Sequence, residues 1–258
     1  MQTAPRPMQS ISSGDCPHCK GSGLRKLSDA ECKDIPGWLP GYTFSEPCGY
    51  CVQARKDKQR AELQAISMMT NDEIQYRLSS IITNGRADTR KMVDACRGMV
   101  EKQSFLLTIW GSNGNAKSAA LVATVNEFLD RGIPAIYLPA YDLLNWLQDA
   151  FKSNGEIKSE SMYERLERIK SVRMLAVDEF QAVKVTDWRL EQLRNLIDRR
   201  WRDGLDGRSF TLLAMNEDPA SLEPRIWSRL RDGRNCLSGE PIILNEDTDM
   251  RPLLRRKA

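Results

Sequence analysis

The stretch from Gly111 to Ser118, which reads Gly-Ser-Asn-Gly-Asn-Ala-Lys-Ser, has the residue types of a phosphate-binding loop. A triphosphate is bound by backbone N–H groups that converge on its oxygens, by a lysine that reaches the β- and γ-phosphates, and by a hydroxyl group on the magnesium ion. Lys117 and Ser118 are suited to the last two roles. The sequence therefore predicts a binding site for ATP and Mg²⁺ formed by Gly111, Ser112, Asn113, Gly114, Asn115, Ala116, Lys117 and Ser118.

One position of this loop departs from the usual pattern Gly-x-x-x-x-Gly-Lys-Ser/Thr. Ala116 stands where that pattern has its second glycine. Its methyl group is expected to crowd a phosphate or to oppose a positive φ angle, which glycine adopts freely. The form with alanine resembles the loop of the minichromosome-maintenance helicases, which are working ATPases. Ala116 alone therefore does not imply an inactive site. We expect it to lower the rate of hydrolysis more than the affinity for ATP. The alternative is an ordinary glycine-containing turn.

Two carboxylates follow an apolar run later in the chain. The segment Val172–Val177 is followed by Asp178 and Glu179. At the carboxyl edge of a parallel sheet, Asp178 is predicted to hold magnesium through water together with Ser118, and Glu179 to polarise the attacking water. A plain helix start is the alternative for this pair.

Asn216 closes another apolar run, Ser209–Met215. A polar residue at such a strand end can orient the hydrolytic water or sense the γ-phosphate. The alternative role, a cap of the following helix, is compatible with the first.

These residues need a scaffold that brings strand ends together, and the hydrophobic pattern predicts one. Apolar runs of strand length alternate with amphipathic helices, which favours a parallel sheet flanked by helices. The predicted strands are Ser104–Trp110, Ile133–Leu138, Val172–Asp178, Ser209–Met215 and Ile242–Leu244. The predicted helices are 61–80, 88–102, 117–130, 141–151, 162–170 and 187–202, with Gly204 and Gly207 ending the last, followed by a short one after Pro224.

Four cysteines near the N-terminus have metal-ligand spacing. Cys16 and Cys19 form one Cys-x-x-Cys pair, and Cys48 and Cys51 form another. Two such pairs can present four thiolates tetrahedrally to zinc, so we predict one Zn²⁺ site. The alternative is a set of free cysteines in a loose arm. The first pair, with the glycines that follow it, is similar to one repeat of the zinc region of DnaJ-type chaperones, although a single copy does not indicate a chaperone.

The other residues of these types are not assigned to the zinc site. Cys32 is spare, and His18 is expected to be a bystander because ligation beside Cys19 would be strained. Cys96 and Cys236 are predicted to be buried thiols of the larger domain.

Composition sets broad limits on the class of protein. The chain has 258 residues, a net charge of +3 and a pI near 8.4, which does not by itself indicate nucleic-acid binding. No apolar segment is long enough to span a membrane, and the N-terminus lacks a secretory pattern, so a cytoplasmic protein is expected. The predicted regions are a disordered N-terminus (1–14), a zinc-binding region (15–58), a helical connector (59–102) and an ATPase domain (103–258).

Arginines concentrate in two segments of the C-terminal half. The first is the helix predicted at 187–202, whose arginines are either candidate DNA-phosphate contacts or a solvated face. The second follows Pro224 and contains Arg225, Arg229 and Arg231. Arginine stabilises charge on a transferring phosphate, from the same subunit or from a neighbour. The alternative for Arg229 is a surface pair with Glu223 or Asp232.

Taken together, these motifs resemble the DnaC/DnaI family of AAA+ helicase loaders over about Phe105–Arg251. The resemblance rests on the phosphate loop, the Asp178-Glu179 pair, the helix end from Leu196 to Gly204, Asn216, and the run from Arg225 to Leu230. Zinc-binding N-terminal regions also occur in that family. The resemblance implies an AAA+ P-loop fold with a small N-terminal zinc-knuckle region.

The same resemblance implies a function and several roles. It implies an ATPase that loads a replicative DNA helicase, binds single-stranded DNA and forms a homo-oligomer when nucleotide is bound. No membrane is expected among its partners. By position, Asn216 would be the first sensor, Arg229 the arginine finger and Arg251 the second sensor.

Two other functions fit the same motifs. One is an ATPase helper of transposition, similar to the IstB group, which would not require the cysteine pairs. The other is a DNA-binding adaptor that holds nucleotide with little turnover.

Overall fold

The computed structural model describes residues 16–33, 35–37, 39–152, 161–181 and 186–251. The chain consists of two compact units, and the boundary between them in the sequence lies between Glu62 and Leu63. Three predictions from the sequence fall outside the described residues: the disorder of 1–14, most of a polar surface loop at 152–161, and a basic tail, Arg255–Lys257, as a candidate for DNA-phosphate contacts. No helix among the described residues is long and apolar enough to cross a membrane.

The strands of the described part are β1 (Leu24–Lys26), β2 (Ser45–Pro47), β3 (Leu106–Trp110), β4 (Ala135–Pro139), β5 (Met174–Asp178), β6 (Phe210–Met215) and β7 (Ile242–Leu244). The α-helices are α1 (Asp29–Cys32), α2 (Gly49–Ile66), α3 (Ala87–Val100), α4 (Lys117–Asp130), α5 (Ala140–Lys152), α6 (Met162–Ser171), α7 (Asp187–Leu205) and α8 (Pro224–Leu230).

The N-terminal unit contains a two-stranded antiparallel sheet in which β1 pairs with β2. Helix α2 begins at Gly49, whereas the sequence analysis assigned residues up to 58 to the zinc-binding region and placed a helix only from 61 to 80. That prediction was wrong in its bounds. The residues from Tyr50 to Ile66 include no Gly or Pro and are rich in Ala, Gln, Lys and Arg, which favour helix. Between the end of α2 at Ile66 and the start of α3 at Ala87, the only helical elements are short 3₁₀ turns, at Glu73–Gln75 and Leu78–Ser80.

The C-terminal unit is built on a five-stranded sheet with the order β4-β5-β6-β3-β7. All of its pairings are parallel. The predicted class, a parallel sheet flanked by helices, is therefore confirmed. Each predicted strand is present, shortened by one or two residues at its N-terminal end in most cases, because strand ends are poorly marked by hydrophobic pattern alone.

Helices cover both faces of this sheet. On one face α3 and α4 contribute fully buried Val93, Leu121 and Phe128 to a core shared with Leu107 and Leu212. On the other face the sheet packs on apolar residues of α5, α6, α7 and α8: Leu144, Ile169, Leu196 and Ile226. Strands covered on both faces read as continuous apolar runs, which is the pattern the sequence shows.

Helix α7 corrects two details of the sequence analysis. Gly204 does not end it, because the helix continues to Leu205. A Cβ atom at Gly204 would lie 2.3 Å from Asn235 Oδ1, so the glycine permits close packing. Arg200, which the sequence analysis placed among arginines that contact DNA phosphate or form a solvated face, fits neither role, because it is fully buried. It donates to Thr211 Oγ1 at 2.7 Å and to the carbonyl oxygens of Ile169, Lys170, Val172 and Phe210. Burial lowers its pKa to about 9.

Candidate nucleotide site and cysteine cluster

Three neighbouring parallel strands bring the predicted ATPase residues to one edge of the sheet. In the strand register Trp110 lies beside Met215, and Val177 beside Leu213. The phosphate loop therefore leaves the same edge at which Asp178 ends β5 and Asn216 follows β6. Asn216 is exposed there.

Lys117 lies at the start of α4 with its side chain folded over the loop. Only 6% of Lys117 is exposed. Its Nζ donates to Gly111 O at 2.8 Å, to Ser112 O at 2.6 Å and to Asn115 Oδ1 at 3.1 Å. Burial lowers the pKa of Lys117, and the charge of Asp178 opposes this shift. The ammonium group is thus held inside the loop within electrostatic reach of Asp178, while Ser118 is exposed beside it.

Ala116 has the left-handed conformation, with φ 68° and ψ 18°. The sequence analysis expected a methyl group to oppose a positive φ, and the structure shows that the alanine adopts one. A non-glycine residue in this region costs about 1–2 kcal/mol. The loop therefore keeps the backbone path of a glycine and carries local strain.

Both carboxylate oxygens of Asp178 accept hydrogen bonds. Oδ1 accepts the N–H of Glu179 at 2.8 Å, and Oδ2 accepts the hydroxyl of Tyr137 at 3.0 Å. Burial and the neighbouring Asp178 raise the pKa of Tyr137 well above its ordinary value, so the phenol stays protonated. Glu179 is exposed and has a φ of 49°. The sequence analysis missed Tyr137, although a tyrosine inside an apolar strand was a visible signal.

A crossing segment, defined here as Asn245–Arg251, runs from the end of β7 over the phosphate loop. Asn245 exchanges hydrogen bonds with Asn115, donating to its carbonyl oxygen at 3.1 Å and accepting from its side-chain amide. Met250 N–H donates to Gly114 O at 2.9 Å. The Asp249 carboxylate lies so close to Gly114 that a Cβ atom there would be 1.9 Å from Asp249 Oδ1. No sequence motif predicts this contact.

The crossing segment also binds the N-terminus of α3. Asp247 Oδ2 accepts the N–H and the hydroxyl of Thr89, both at 2.7 Å. Burial opposes the charge of Asp247, but the hydrogen bonds from Thr89 outweigh it and lower its pKa. Arg86 donates to Thr248 O at 2.5 Å. The phosphate loop, the crossing segment and α3 are therefore joined by hydrogen bonds.

The two predicted arginines occupy different places. Arg251 is exposed, 3.9 Å from the Asp249 carboxylate, and its charge acts on Lys117. Arg229 lies on α8, where its Nε donates to Asp198 Oδ1 at 3.1 Å. Arg229 therefore does pair with an acidic side chain, as the alternative reading expected, but the partner is Asp198, whereas Glu223 binds Arg194 and Asp232 binds Arg234.

The four predicted metal ligands converge in the N-terminal unit. The Sγ atoms of Cys16, Cys19, Cys48 and Cys51 all lie within 4.8 Å of one another. Cys16 and Cys48 are 3.8 Å apart, and Cys19 and Cys51 are 3.4 Å apart. His18 lies outside this group, with its ring 5.4 Å from that of Tyr50.

Local backbone geometry produces this convergence. Gly21 and Gly23 have φ angles of 87° and 74°, which turn the chain after the first pair. The N–H of Gly23 donates to Cys19 Sγ at 3.3 Å, and its carbonyl oxygen accepts the N–H of Cys48 at 2.9 Å. The second pair opens α2, which places Cys51 one turn from Cys48.

The donor set fits a structural zinc ion. Tetrahedral coordination with Zn–S bonds of about 2.3 Å places sulfur atoms about 3.8 Å apart. Two of the pairs are 3.8 and 3.4 Å apart, and all four atoms lie within 4.8 Å of one another. Cys16, Cys19 and Cys48 are buried, so a metal held there would be largely shielded from water. Cys32 is buried elsewhere, on α1.

Comparison with solved structures identifies the fold. The chain is similar to DnaI (20% identity, TM-score 0.55, covering 75% of this chain and 100% of that chain). It is also similar to the DnaC helicase loader (16% identity, TM-score 0.53, covering 69% and 100%). A third similar structure is the replication initiator DnaA bound to AMPPCP and single-stranded DNA (20% identity, TM-score 0.56, covering 70% and 52%).

This chain thus spans about half the length of the DnaA chain that it matches. No protein-family model and no curated protein matches it. The resemblance to DnaC and DnaI predicted from the motifs is confirmed at the level of fold: the C-terminal unit has a five-stranded parallel sheet flanked by helices, like the AAA+ P-loop domains of DnaC, DnaI and DnaA.

Proposed function

We propose that the protein is an ATP-dependent loader of a replicative DNA helicase, which binds the helicase and single-stranded DNA when replication begins. The observation that carries this proposal is the gathering of Lys117, Asp178 and Asn216 at one edge of the sheet. That arrangement suits binding and hydrolysis of ATP. The similarity in fold to the DnaC helicase loader and to DnaA with single-stranded DNA supports the choice of process.

Each residue has a proposed task. Lys117 neutralises the β- and γ-phosphates once it leaves the loop carbonyls. Ser118 and Asp178 would hold Mg²⁺, which neutralises charge on the transferring phosphate. Glu179 polarises the attacking water, and Asn216 orients it.

Two arginines complete the proposed site. Arg229 is assigned to the site of a neighbouring subunit, where its guanidinium stabilises charge on the γ-phosphate. Arg251 is assigned to the chain's own nucleotide as the second sensor. Hydrolysis would then depend on assembly into a homo-oligomer.

The N-terminal unit is proposed to bind the helicase. Four thiolates and one Zn²⁺ would fix a small fold that has few apolar residues to bury. In this arrangement the zinc-binding region contacts the partner protein and the ATPase domain contacts DNA.

The direct test uses the purified hexameric replicative helicase of the same organism. With ATP, the protein is expected to form a complex with this helicase in size-exclusion chromatography and to transfer it to circular single-stranded DNA coated with single-strand-binding protein. Transfer is measured as unwinding of an annealed oligonucleotide. The Lys117→Ala variant is the control. Absence of both complex formation and transfer, with a protein that binds ATP, would overturn the assignment as a loader.

One observation favours a second candidate, an adaptor that holds nucleotide with little turnover. The crossing segment lies against the phosphate loop, where Met250 N–H donates to Gly114 O and the Asp249 carboxylate contacts Gly114. An adaptor would bind DNA in a nucleotide-dependent way, and its Glu179→Gln variant would hydrolyse ATP no more slowly than the parent.

A further inference from the structure

We propose that Tyr137 is a positioning residue for the magnesium site and that it acts through Asp178. This inference rests on the proposed function, because it assumes that nucleotide and Mg²⁺ bind at the edge of the sheet described above.

The hydroxyl of Tyr137 reaches Asp178 across two neighbouring strands. In the register of β4 and β5, Tyr137 lies beside Ala176 and Pro139 beside Asp178. The hydroxyl donates to Asp178 Oδ2 at 3.0 Å, and each of the two residues is only 6% exposed. Because Oδ1 accepts the N–H of Glu179, both oxygens have a donor and the carboxylate plane is fixed.

Tyr137 is itself held on its backbone. Strand β4 is an edge strand of the five-stranded sheet, so its outer N–H and C=O groups need partners that another strand does not supply. The N–H of Tyr137 donates to Ser67 Oγ at 3.0 Å, and its carbonyl oxygen accepts the N–H of Met68 at 3.2 Å. The position of the phenol is therefore set by the segment that follows α2.

A donor behind a metal-binding carboxylate has a known physical effect. It fixes the orientation of the carboxylate and leaves the remaining lone pairs for metal-bound water, and removing such a partner typically lowers metal affinity about 10- to 100-fold. Tyr137 makes no hydrogen bond with Lys117, whose Nζ donates only to atoms of the loop. The loss of the hydroxyl should therefore affect Mg²⁺ more than the phosphates.

The test measures binding of a fluorescent AMPPCP analogue at increasing Mg²⁺ concentration, and again in EDTA, for the parent and Tyr137→Phe. The Mg²⁺ concentration at half-maximal enhancement is expected to rise about tenfold in Tyr137→Phe, with the affinity in EDTA unchanged. Tyr163→Phe is the matched control, because Tyr163 is 70% exposed on α6, and it should match the parent. In an Asp178→Asn background, Tyr137→Phe should cause little further change.

The outcomes separate the two proposals. A parent protein that binds no AMPPCP overturns the nucleotide site and this inference with it. If the parent and Tyr137→Phe both bind AMPPCP and have the same Mg²⁺ midpoint, only the role of Tyr137 is overturned. If Tyr137→Phe fails to fold, Ser67→Ala is measured in the same way, and an unchanged midpoint in that variant counts against the inference.

Discussion

Asp198 holds Arg229 in place against the ring of Trp201. The carboxylate accepts from Arg229 Nε at 3.1 Å, and the guanidinium carbon lies 4.0 Å from the ring centroid of Trp201. Burial opposes the charge of Asp198, but the hydrogen bonds from Arg229 and Arg225 outweigh it and lower its pKa. Helices α7 and α8 therefore present Arg229 as an ordered side chain, 30% exposed.

This arrangement bears on the proposed role of Arg229 in a neighbour's site. We expect hydrolysis per subunit to rise with protein concentration, and Arg229→Ala and Lys117→Ala each to be inactive alone. A mixture of the two should regain part of the activity, because an intact loop in one chain can meet an intact arginine from the other. Phosphate release is the measurement.

The control for this experiment is Arg234→Ala, which removes another arginine near Trp201 and should remain active. Folding of Arg229→Ala is not expected to fail, since Arg225 still pairs with Asp198. No recovery in mixtures that demonstrably co-assemble would argue against action between subunits.

Binding and hydrolysis should depend on different residues. Lys117→Ala removes the buried ammonium group and is expected to weaken ATP binding by about 2–3 kcal/mol, roughly a hundredfold. Glu179→Gln should bind ATP as the parent does but hydrolyse it about 10²- to 10⁴-fold more slowly. Calorimetric titration with AMPPCP and a phosphate-release assay separate the two effects. Equal ATP affinity in Lys117→Ala would contradict the loop assignment.

Zinc content offers an independent test of the N-terminal unit. We expect one tightly bound zinc per chain, and its loss in a Cys16→Ala, Cys48→Ala double variant, because two thiolates do not complete a tetrahedral site. Atomic emission after gel filtration measures the metal. Cys32→Ala is the matched control and should retain it. Zinc retained in the double variant would show that the ligands lie elsewhere.

The strain at Ala116 should be measurable as stability. Ala116→Gly is expected to raise the free energy of unfolding by about 1 kcal/mol, because glycine adopts φ 68° without the steric cost of a Cβ atom. Ala119→Gly, the same substitution inside α4, should instead lower it by about 1 kcal/mol. Urea unfolding followed by circular dichroism checks both. Opposite signs for the two variants are the expected result, and a destabilised Ala116→Gly would be inconsistent with strain.

The sequence predicted the sheet because buried parallel strands and phosphate-loop residues have strong local patterns. Asp178 could be predicted for the same reason, since it ends an apolar run. Tyr137 was visible as a polar group inside an apolar strand, but its partner could not be predicted, and neither could that of Asp249, because each meets its partner through pairing or packing of segments far apart in the chain. Arg200 shows the same limit: its charge suggested exposure to solvent, and its burial is explained by carbonyl groups of 169–172 and by the carbonyl oxygen of Phe210 and the hydroxyl of Thr211.

The crossing segment leads to a final prediction about charge. The Asp249 carboxylate lies against Gly114 in the loop that is assigned to phosphate, and Arg251 N–H donates to Asp249 Oδ1 at 2.8 Å. A carboxylate there repels a triphosphate, and like charges a few ångströms apart interact by about 1 kcal/mol or more even in water. Asp249→Asn keeps the shape of the side chain and an acceptor for Arg251.

We therefore expect Asp249→Asn to bind the AMPPCP analogue about 5- to 10-fold more tightly than the parent, with a smaller gain at high salt because salt screens exposed charges. Asp206→Asn removes an exposed carboxylate on the distant C-terminal cap of α7 and serves as the matched control. If the higher affinity of Asp249→Asn comes from relief of charge repulsion, Asp249→Glu, which keeps the charge, should bind the analogue no more tightly than the parent. Weaker binding in Asp249→Asn would instead indicate that this carboxylate supports the site, through Arg251 or through the bound cation.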